Sequence, residues 1–251
     1  MKMPRTYHIE GSGLTARAND DDRVPFNKLK GQFLVIEEKV DGASVSIAFD
    51  RNLDPNAYHR GTNIFDGKWV HYDEYKQLYN WMYGNEDMLF DIIGTRYIIF
   101  GEWMYNKHCV YYDKLPFYFL ESDIYDCERE IWLSTSARVN LLQNKIHSVP
   151  VIKSIIPNKM SDISDIHLGK SHYQSDNWRD NLKDSCNNHK YDFDLCMKET
   201  YGFMEGLYIK HEDADKVINR YKFINSKFIE TIINSGTHII DRPILANKLL
   251  L

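Results

Sequence analysis

No stretch of about 18 consecutive apolar residues occurs in the sequence, so no membrane-spanning helix is expected. Met1-Lys2-Met3-Pro4-Arg5 opens it without the apolar core of a secretory signal, and a cytoplasmic protein with no membrane partner is expected. Cysteine is scarce. Cys109, Cys127, Cys186 and Cys196 lie too far apart for CxxC pairs, which argues against zinc-ribbon and dithiol redox motifs and predicts reduced thiols. The histidines, among them His8, His59, His71, His108 and His147, show no HxH or HExxH spacing, so surface or satisfied core positions are expected for all ten. Basic surplus is absent too. A net charge of −5 argues against a protein that coats nucleic acid through bulk charge, so a polynucleotide partner needs a local basic patch and salt-sensitive binding. Internal repeats and low-complexity tracts are missing.

What is present is ordinary globular material, 43% hydrophobic and 27% charged, and 251 residues suit one large domain or two small ones. Tyrosine is abundant at 17, enough for a well-built core and for stacking platforms. Residues 33–40 and 43–49 read as strands, the second with Val45, Ile47 and Phe49 on one face and Ser44, Ser46 and Ala48 on the other. Asp41-Gly42 between them is a hairpin-type turn dipeptide. Residues 73–89 read as a helix, 97–105 and 116–125 as aromatic-rich strands, and 135–145 as a helix capped by Ser134. Residues 17–22 read as a polar loop. From 160 to 202 apolar density falls, and helices over 176–185 and 192–200 are expected as a surface insertion. Strands resume at 205–210 and 220–224, and a helix over 226–234 follows. The pattern predicts an α+β fold of antiparallel sheets flanked by helices, one domain over 1–251.

Lys39, in Glu38-Lys39-Val40-Asp41-Gly42, stands at a strand end beside a tight turn. Neutral lysine is a nucleophile, but its ordinary pKa is about 10.4, so nearby cations or burial must favour the neutral form. By itself the string equally describes a solvated lysine beside a hairpin. Arg220 and Lys222 alternate on a strand and project from one face. Taken alone, they equally suit two solvated charges on an edge strand.

Arg60-Gly61, Phe100-Gly101-Glu102, Glu121-Ser122-Asp123-Ile124, Glu205-Gly206-Leu207-Tyr208-Ile209-Lys210 and Arg220-Tyr221-Lys222 follow the Lys39 string in order. The set resembles the nucleotidyltransferase motifs of covalent ligases and capping enzymes, and more narrowly ATP-dependent RNA ligases. Arg5–Ser12, Trp132–Arg138 and Ser235–Asn247 resemble flanking segments of single-domain RNA ligases. The resemblance implies a nucleotidyltransferase domain in which Lys39 attacks the α-phosphate of ATP and retains AMP. It implies that Arg220 and Lys222 contact that phosphate and depress the Lys39 pKa. It places Glu102 on the ribose, Arg60 on the nucleotide and later the 5′-phosphate, Glu38, Ser44 and Lys210 around the nucleotide, and Leu207 under the adenine. Glu205 becomes the ligand of Mg2+ (or Mn2+), which suits a hard cation that takes few protein carboxylates.

One departure stands out. The family usually has Phe before the Asp-Ile of its third motif, a ring that stacks on adenine, whereas this sequence has Ser122. Tyr118 would share a strand face with Ser122 and is a conceivable substitute. Only 29 residues follow Lys222 in the sequence, too few for a five-stranded OB-fold barrel, so no OB-fold is expected within it. The expected substrates are ATP and RNA with 5′-phosphate and 3′-OH ends, joined through enzyme adenylation, AMP transfer and sealing. A DNA ligase-like enzyme is the alternative within the class, and a catalytically silent nucleotide- or RNA-binding relative is the alternative outside it. Nothing in the sequence specifies an oligomeric state.

Overall fold

The computed structural model describes residues 1–13, 23–65, 73–166, 168–237 and 242–250, so the loop expected over 17–22 and His71 lie outside the described residues. The first half contains β1 (Tyr7–Ile9), β2 (Arg23–Val24), β3 (Leu34–Lys39), β4 (Ala43–Phe49), β5 (Pro55–His59), β6 (Thr62–Asn63), α1 (Asp73–Gly84), α2 (Glu86–Ile93), β7 (Tyr97–Trp103) and β8 (Phe119–Asp126). The second contains β9 (Ile131–Trp132), α3 (Thr135–Leu142), β10 (Val151–Ile155), α4 (Ser161–Ser164), α5 (Trp178–Asn188), α6 (Phe193–Lys198), β11 (Gly206–Glu212), β12 (Val217–Ile224) and α7 (Ser226–Ser235). The α+β class expected from the sequence is the one found. Ser134 caps α3 by accepting from Ala137 N, as expected, and Asp192 caps α6 through Leu195 N.

Two six-stranded sheets result. Sheet I runs β10-β3-β11-β12-β1-β2 and sheet II runs β6-β5-β4-β7-β8-β9. All pairings are antiparallel except those of β1, which lies parallel to β12 and β2. The helix expected over 73–89 is two helices broken at Asn85, and β1, β2, β5, β6, β9 and β10 are strands that the pattern reading of the sequence did not separate.

Asp41-Gly42 is not a hairpin turn. Strand β3 belongs to sheet I and β4 to sheet II, so the Lys39–Gly42 segment carries the chain from one sheet to the other. The crossing is pinned by hydrogen bonds that a free hairpin would not need. Asp41 Oδ2 accepts from Cys109 N at 2.7 Å and Val110 N at 3.0 Å, and Asp41 N donates to Tyr112 Oη at 2.8 Å.

Two apolar cores lie against the sheets, and a third, with Val40, Leu120 and Ile224, joins them near the crossing. Val45, Ile47 and Phe49 of β4 pack with Ile99, Ile124 and the α1–α2 residues Leu78, Met82, Leu89 and Ile93. Ile36, Leu207, Ile209 and Tyr221 pack with Ile9, Phe26, Leu29 and Ile163 behind sheet I. Each such buried side chain contributes roughly 1.5–3 kcal/mol, so these cores supply most of the apolar stabilisation. Between the sheets the layer is charged instead. Glu37, Glu121 and Asp123 meet Arg138, Lys210 and Arg220, and all six are buried.

Helices α5 and α6, within the segment expected as an insertion, enclose a small core of Leu182, Cys186 and Cys196 against Tyr111 and Leu245. The stretch before α5 reaches the end of β3, where His172 N and Nδ1 both lie 3.0 Å from Glu38 Oε2.

Candidate active site between the two sheets

A cavity of about 180 Å³ opens where the sheets diverge, lined by Met3, Thr6, Glu38, Lys39, Val40, Ser44, Phe100, Gly101, Glu102, Ser122, Val149, Tyr208 and Lys222. Strand register explains the gathering. Ser44 pairs with Glu102 across β4–β7, and Tyr208 pairs with Lys222 across β11–β12, so each sheet contributes neighbouring side chains to one wall. Lys39 ends β3 at the crossing, where the two walls meet.

Lys39 Nζ lies 2.8 Å from Glu205 Oε1 and 2.9 Å from Oε2. Burial disfavours its charge, but Glu205, Glu102 and Asp41 outweigh that and hold the ammonium above the ordinary lysine value. The expectation that Arg220 and Lys222 depress Lys39 is therefore reversed by its carboxylate neighbours. Lys222 shows the depression instead, from burial and then from the Lys39 charge. Glu205 is pushed up to about 7 and Glu102 to about 8, both chiefly by burial, with Lys39 pulling each back. The pocket thus holds carboxyl groups that its own cations do not fully neutralise.

Ser122 lies at a β-bulge. Phe100 pairs with Asp123 and Gly101 with Glu121, which leaves Ser122 without a register partner and turned into the cavity. Gly101 is required here, because a Cβ would collide with the Leu120 carbonyl oxygen. Tyr118 does not replace the missing ring. It packs against Trp103 and Tyr105, and its hydroxyl donates to the Asn247 carbonyl at 3.1 Å, outside the cavity lining. The rings that do line the cavity are Phe100 and Tyr208.

Leu207 also departs from expectation. Strand β11 begins at Gly206, so alternation sends Tyr208 into the cavity and Leu207 to the outer core; Glu205, one residue before the strand, does not share that parity. Lys210 and Arg220 sit deeper than expected. Lys210 Nζ lies 2.7 Å from Glu37 Oε2 and donates to the Ser122 carbonyl. Arg220 Nε donates to Asp123 Oδ1 at 3.0 Å while its guanidinium covers Trp132 at 4.3 Å from the ring centroid. Arg138 completes the layer, its Nη2 at 2.5 Å from Glu37 Oε1 and its Nη1 at 2.5 Å from Glu121 Oε1. Despite burial, Lys210 and Arg220 hold Asp123 below the usual carboxylate range.

Arg60 occupies the exposed two-residue turn between β5 and β6, with φ 50° at Arg60 and 87° at Gly61, and is not in the cavity lining. The turn lies against Lys2, one residue from Met3 in the lining. Lys39, Lys222, Glu38, Ser44, Glu102 and Glu205 are therefore brought together; Arg60, Leu207, Lys210 and Arg220 are not. His8 is a satisfied core histidine whose Nδ1 lies 2.8 Å from Ser12 Oγ. Among the described residues no cluster of three His, Cys, Asp or Glu could hold a metal unaided, and no helix is long and apolar enough to cross a membrane.

A family model described as RNA ligase matches residues 32–224. Among solved structures, a lysine-to-alanine variant of Naegleria gruberi RNA ligase with ATP and Mn is similar in fold, with a TM-score of 0.53 and 15% identity over 83% of this chain and 54% of that one. The same ligase with PPi matches with a TM-score of 0.52 and 16% identity over 91% of this chain and 63% of that one. The chain spans about half the length of the first of these. No curated protein sequence matches it significantly.

Proposed function

The chain belongs to the RNA ligase family, and from that premise we propose that it is an ATP-dependent RNA ligase acting through a lysyl-AMP intermediate on Lys39. The observation that carries the reading is the position of Lys39, at the crossing of the two sheets, bonded to Glu205 beside a cavity where burial raises the Glu102 and Glu205 carboxyls against the pull of Lys39.

In this reading Lys39 Nζ attacks the α-phosphate of ATP. An N–P bond forms, the bond to the bridging oxygen breaks, and pyrophosphate leaves with the electron pair. Such a transfer depends on positioning and charge neutralisation, which Lys222 supplies at the wall facing Lys39. Glu102 and Ser44 face the nucleotide sugar, and Phe100 and Tyr208 offer the apolar surface for the base. Glu38 keeps the nucleophile's strand in place through His172. Arg220 and Lys210 act from beneath by fixing Asp123, Glu37 and the Ser122 carbonyl, and Arg60 meets the ligand only at the rim.

Glu205, a hard oxygen ligand buried beside the cavity, suits a magnesium or manganese ion, which takes few protein carboxylates. Bound there with phosphates and waters, it would neutralise phosphate charge. A cation held by Glu205 would compete with the Lys39 ammonium for that carboxylate. AMP transfer to an RNA 5′-phosphate and attack by the 3′-OH then complete joining.

Incubation with radiolabelled ATP and magnesium, followed by denaturing electrophoresis, tests this reading. A labelled band mapping to Lys39 is expected, together with joining of nicked or single-stranded RNA ends. The Ser122 departure favours a silent nucleotide-binding relative, and absence of any labelled band would establish that alternative. Sealing of nicked DNA in preference to RNA would move the substrate to DNA.

A further inference from the structure

Among the described residues, cations gather on one side of the cavity mouth. Lys222 lines the cavity, and the register of three neighbouring strands continues from it outward: Lys222 of β12 pairs with His8 of β1, which pairs with Arg23 of β2 at the edge of sheet I. His8 is driven down to about 4, by burial and then by Lys222, Arg23 and Lys39, which shows that this row faces one positive field. The N-terminal segment extends it. Met3 and Thr6 form part of the cavity wall, Lys2 lies over the Arg60-Gly61 turn, and Arg5 is near enough to Lys222 to lower it further. Lys2, Arg5, Arg23 and Arg60 are all exposed. Glu10, the acidic residue among residues 1–13, has its Oε2 accepting from Phe26 N at 3.2 Å; Arg23 follows Asp20-Asp21-Asp22 in the sequence and donates to the Ser12 carbonyl at 3.4 Å, and the Arg5 guanidinium lies over the Tyr7 ring. A protein of net charge −5 thus presents a run of cations that starts inside the cavity and leaves it by one side.

We propose that this N-terminal rim seats the phosphodiester backbone of the RNA strand whose 5′-phosphate enters the cavity, an inference that rests on the ligase reading above. Backbone phosphates are the ligand such a run fits: it is linear, cationic and solvent-facing, and it ends at the nucleophile. Contacts of this kind position a strand without reading its sequence, and each releases counterions, so they leave a signature in the salt dependence of binding.

The test uses the full chain with Lys2→Glu/Arg5→Glu, the gentler Lys2→Gln/Arg5→Gln, and a control reversal, Lys76→Glu/Arg179→Glu, at exposed positions of α1 and α5. Binding of a 5′-phosphorylated 12-mer RNA is followed by fluorescence anisotropy across a salt series, and adduct formation is followed separately with ATP alone. The rim reversal should raise the RNA Kd at least tenfold at low salt and flatten the log–log salt slope by about 1.4, two single-strand phosphate contacts at roughly 0.7 each. The Gln pair should change both in the same direction, and it decides the matter if the Glu pair does not fold. Adduct formation should stay within twofold of the parent, and the control should bind RNA like the parent. Unchanged RNA affinity and slope in both rim variants overturn the proposal. So does an equal loss in the control, which would be a net-charge effect, or a shifted ATP dependence with RNA affinity intact. A parent that binds RNA through the rim yet forms no adduct would sink the ligase reading and leave the seat standing.

Discussion

Two charged regions lie within the same inter-sheet layer and differ in how their charges are paired. In the closed part, Glu37, Glu121 and Asp123 are matched by Arg138, Lys210 and Arg220; Asp123 is held ionised by its cations, while burial raises Glu121 against the pull of Arg138. In the open part, Glu102 and Glu205 rise to about 8 and about 7 while Lys39 is held protonated between them. Buried charge that is internally balanced holds structure; buried charge left unbalanced is where a charged ligand belongs. The first region spaces the two sheets, and the second uses the gap.

The widest separation of the two regions is expected at Lys39 and Arg138. Lys39→Ala should abolish the AMP adduct, a loss of roughly 1000-fold or more for a missing nucleophile, while thermal melting shows the fold retained. A labelled adduct surviving in that variant, or mapping to another lysine, would move the chemistry out of the open region. Arg138→Ala should do the reverse. It strands Glu37 and Glu121 without their shared cation, and breaking a buried pair in this way costs about 3–5 kcal/mol, to be read as a lower urea midpoint. A shift under about 1 kcal/mol would mean that the closed layer is not what ties the sheets together.

Ser122 sits on the boundary, its carbonyl bonded to Lys210 in the closed layer and its side chain facing the cavity. Stacking of an aromatic ring on a base is worth about 1–3 kcal/mol, so Ser122→Phe should lower the apparent KM for ATP by roughly tenfold. If Phe100 and Tyr208 already fill that space, the new ring overpacks it at a similar cost and KM rises. Tyr118→Ala should leave ATP dependence alone and lower stability, since Tyr118 belongs to the aromatic core. Poorer ATP use in both variants would overturn the open-face reading of Ser122.

Strand identity and most motif positions were legible in the sequence because alternation and turn residues are local. Lys39, Lys222, Ser44, Glu38, Glu102 and Glu205 lie together at the crossing of the sheets. What was not legible came from partnering between sheets. Asp41-Gly42 has the chemistry of a hairpin, and only the bonds from Cys109, Val110 and Tyr112 show that the chain crosses sheets there. Leu207 and Ile209 do share one face of β11, but that face is the outer core, and Glu205, one residue before the strand, leaves the alternation to meet Lys39, so Tyr208 takes the cavity side. The bulge at Ser122 is likewise invisible without its partner strand, and it is why Tyr118 does not follow Ser122 into the cavity. Arg138 lay in a quoted motif, yet nothing local marks an arginine as a bridge between Glu37 and Glu121.

The smallest expected effect tests whether the open region is truly short of positive charge. Glu102 has a folded pKa raised to about 8, against roughly 4.3 for an unperturbed glutamate, so the folded chain binds its proton more tightly than the unfolded one. Stability from this group is therefore greatest at low pH, falls as pH rises through the window from about 4.3 to about 8, and is level above it. Glu205 acts in the same direction but is finished near 7, and Lys39, raised rather than lowered, contributes no loss until far more alkaline pH. Between pH 7 and 8 Glu102 should contribute to the decline, alongside His108 and His172, which are also raised by neighbouring carboxylates. Glu102→Gln should flatten that part of the profile and raise Tm at pH 8 by about 2–4 °C, the shift expected for roughly 1 kcal/mol in a chain of this size. Divalent cation added to the parent should act the same way, because it supplies the charge that the substitution makes unnecessary. A Glu102→Gln protein that melts no higher than the parent at pH 8, with the slope between pH 7 and 8 unchanged, would mean that Glu102 is comfortably ionised beside Lys39. The contrast between a balanced layer and an unbalanced pocket would then fail at its central residue.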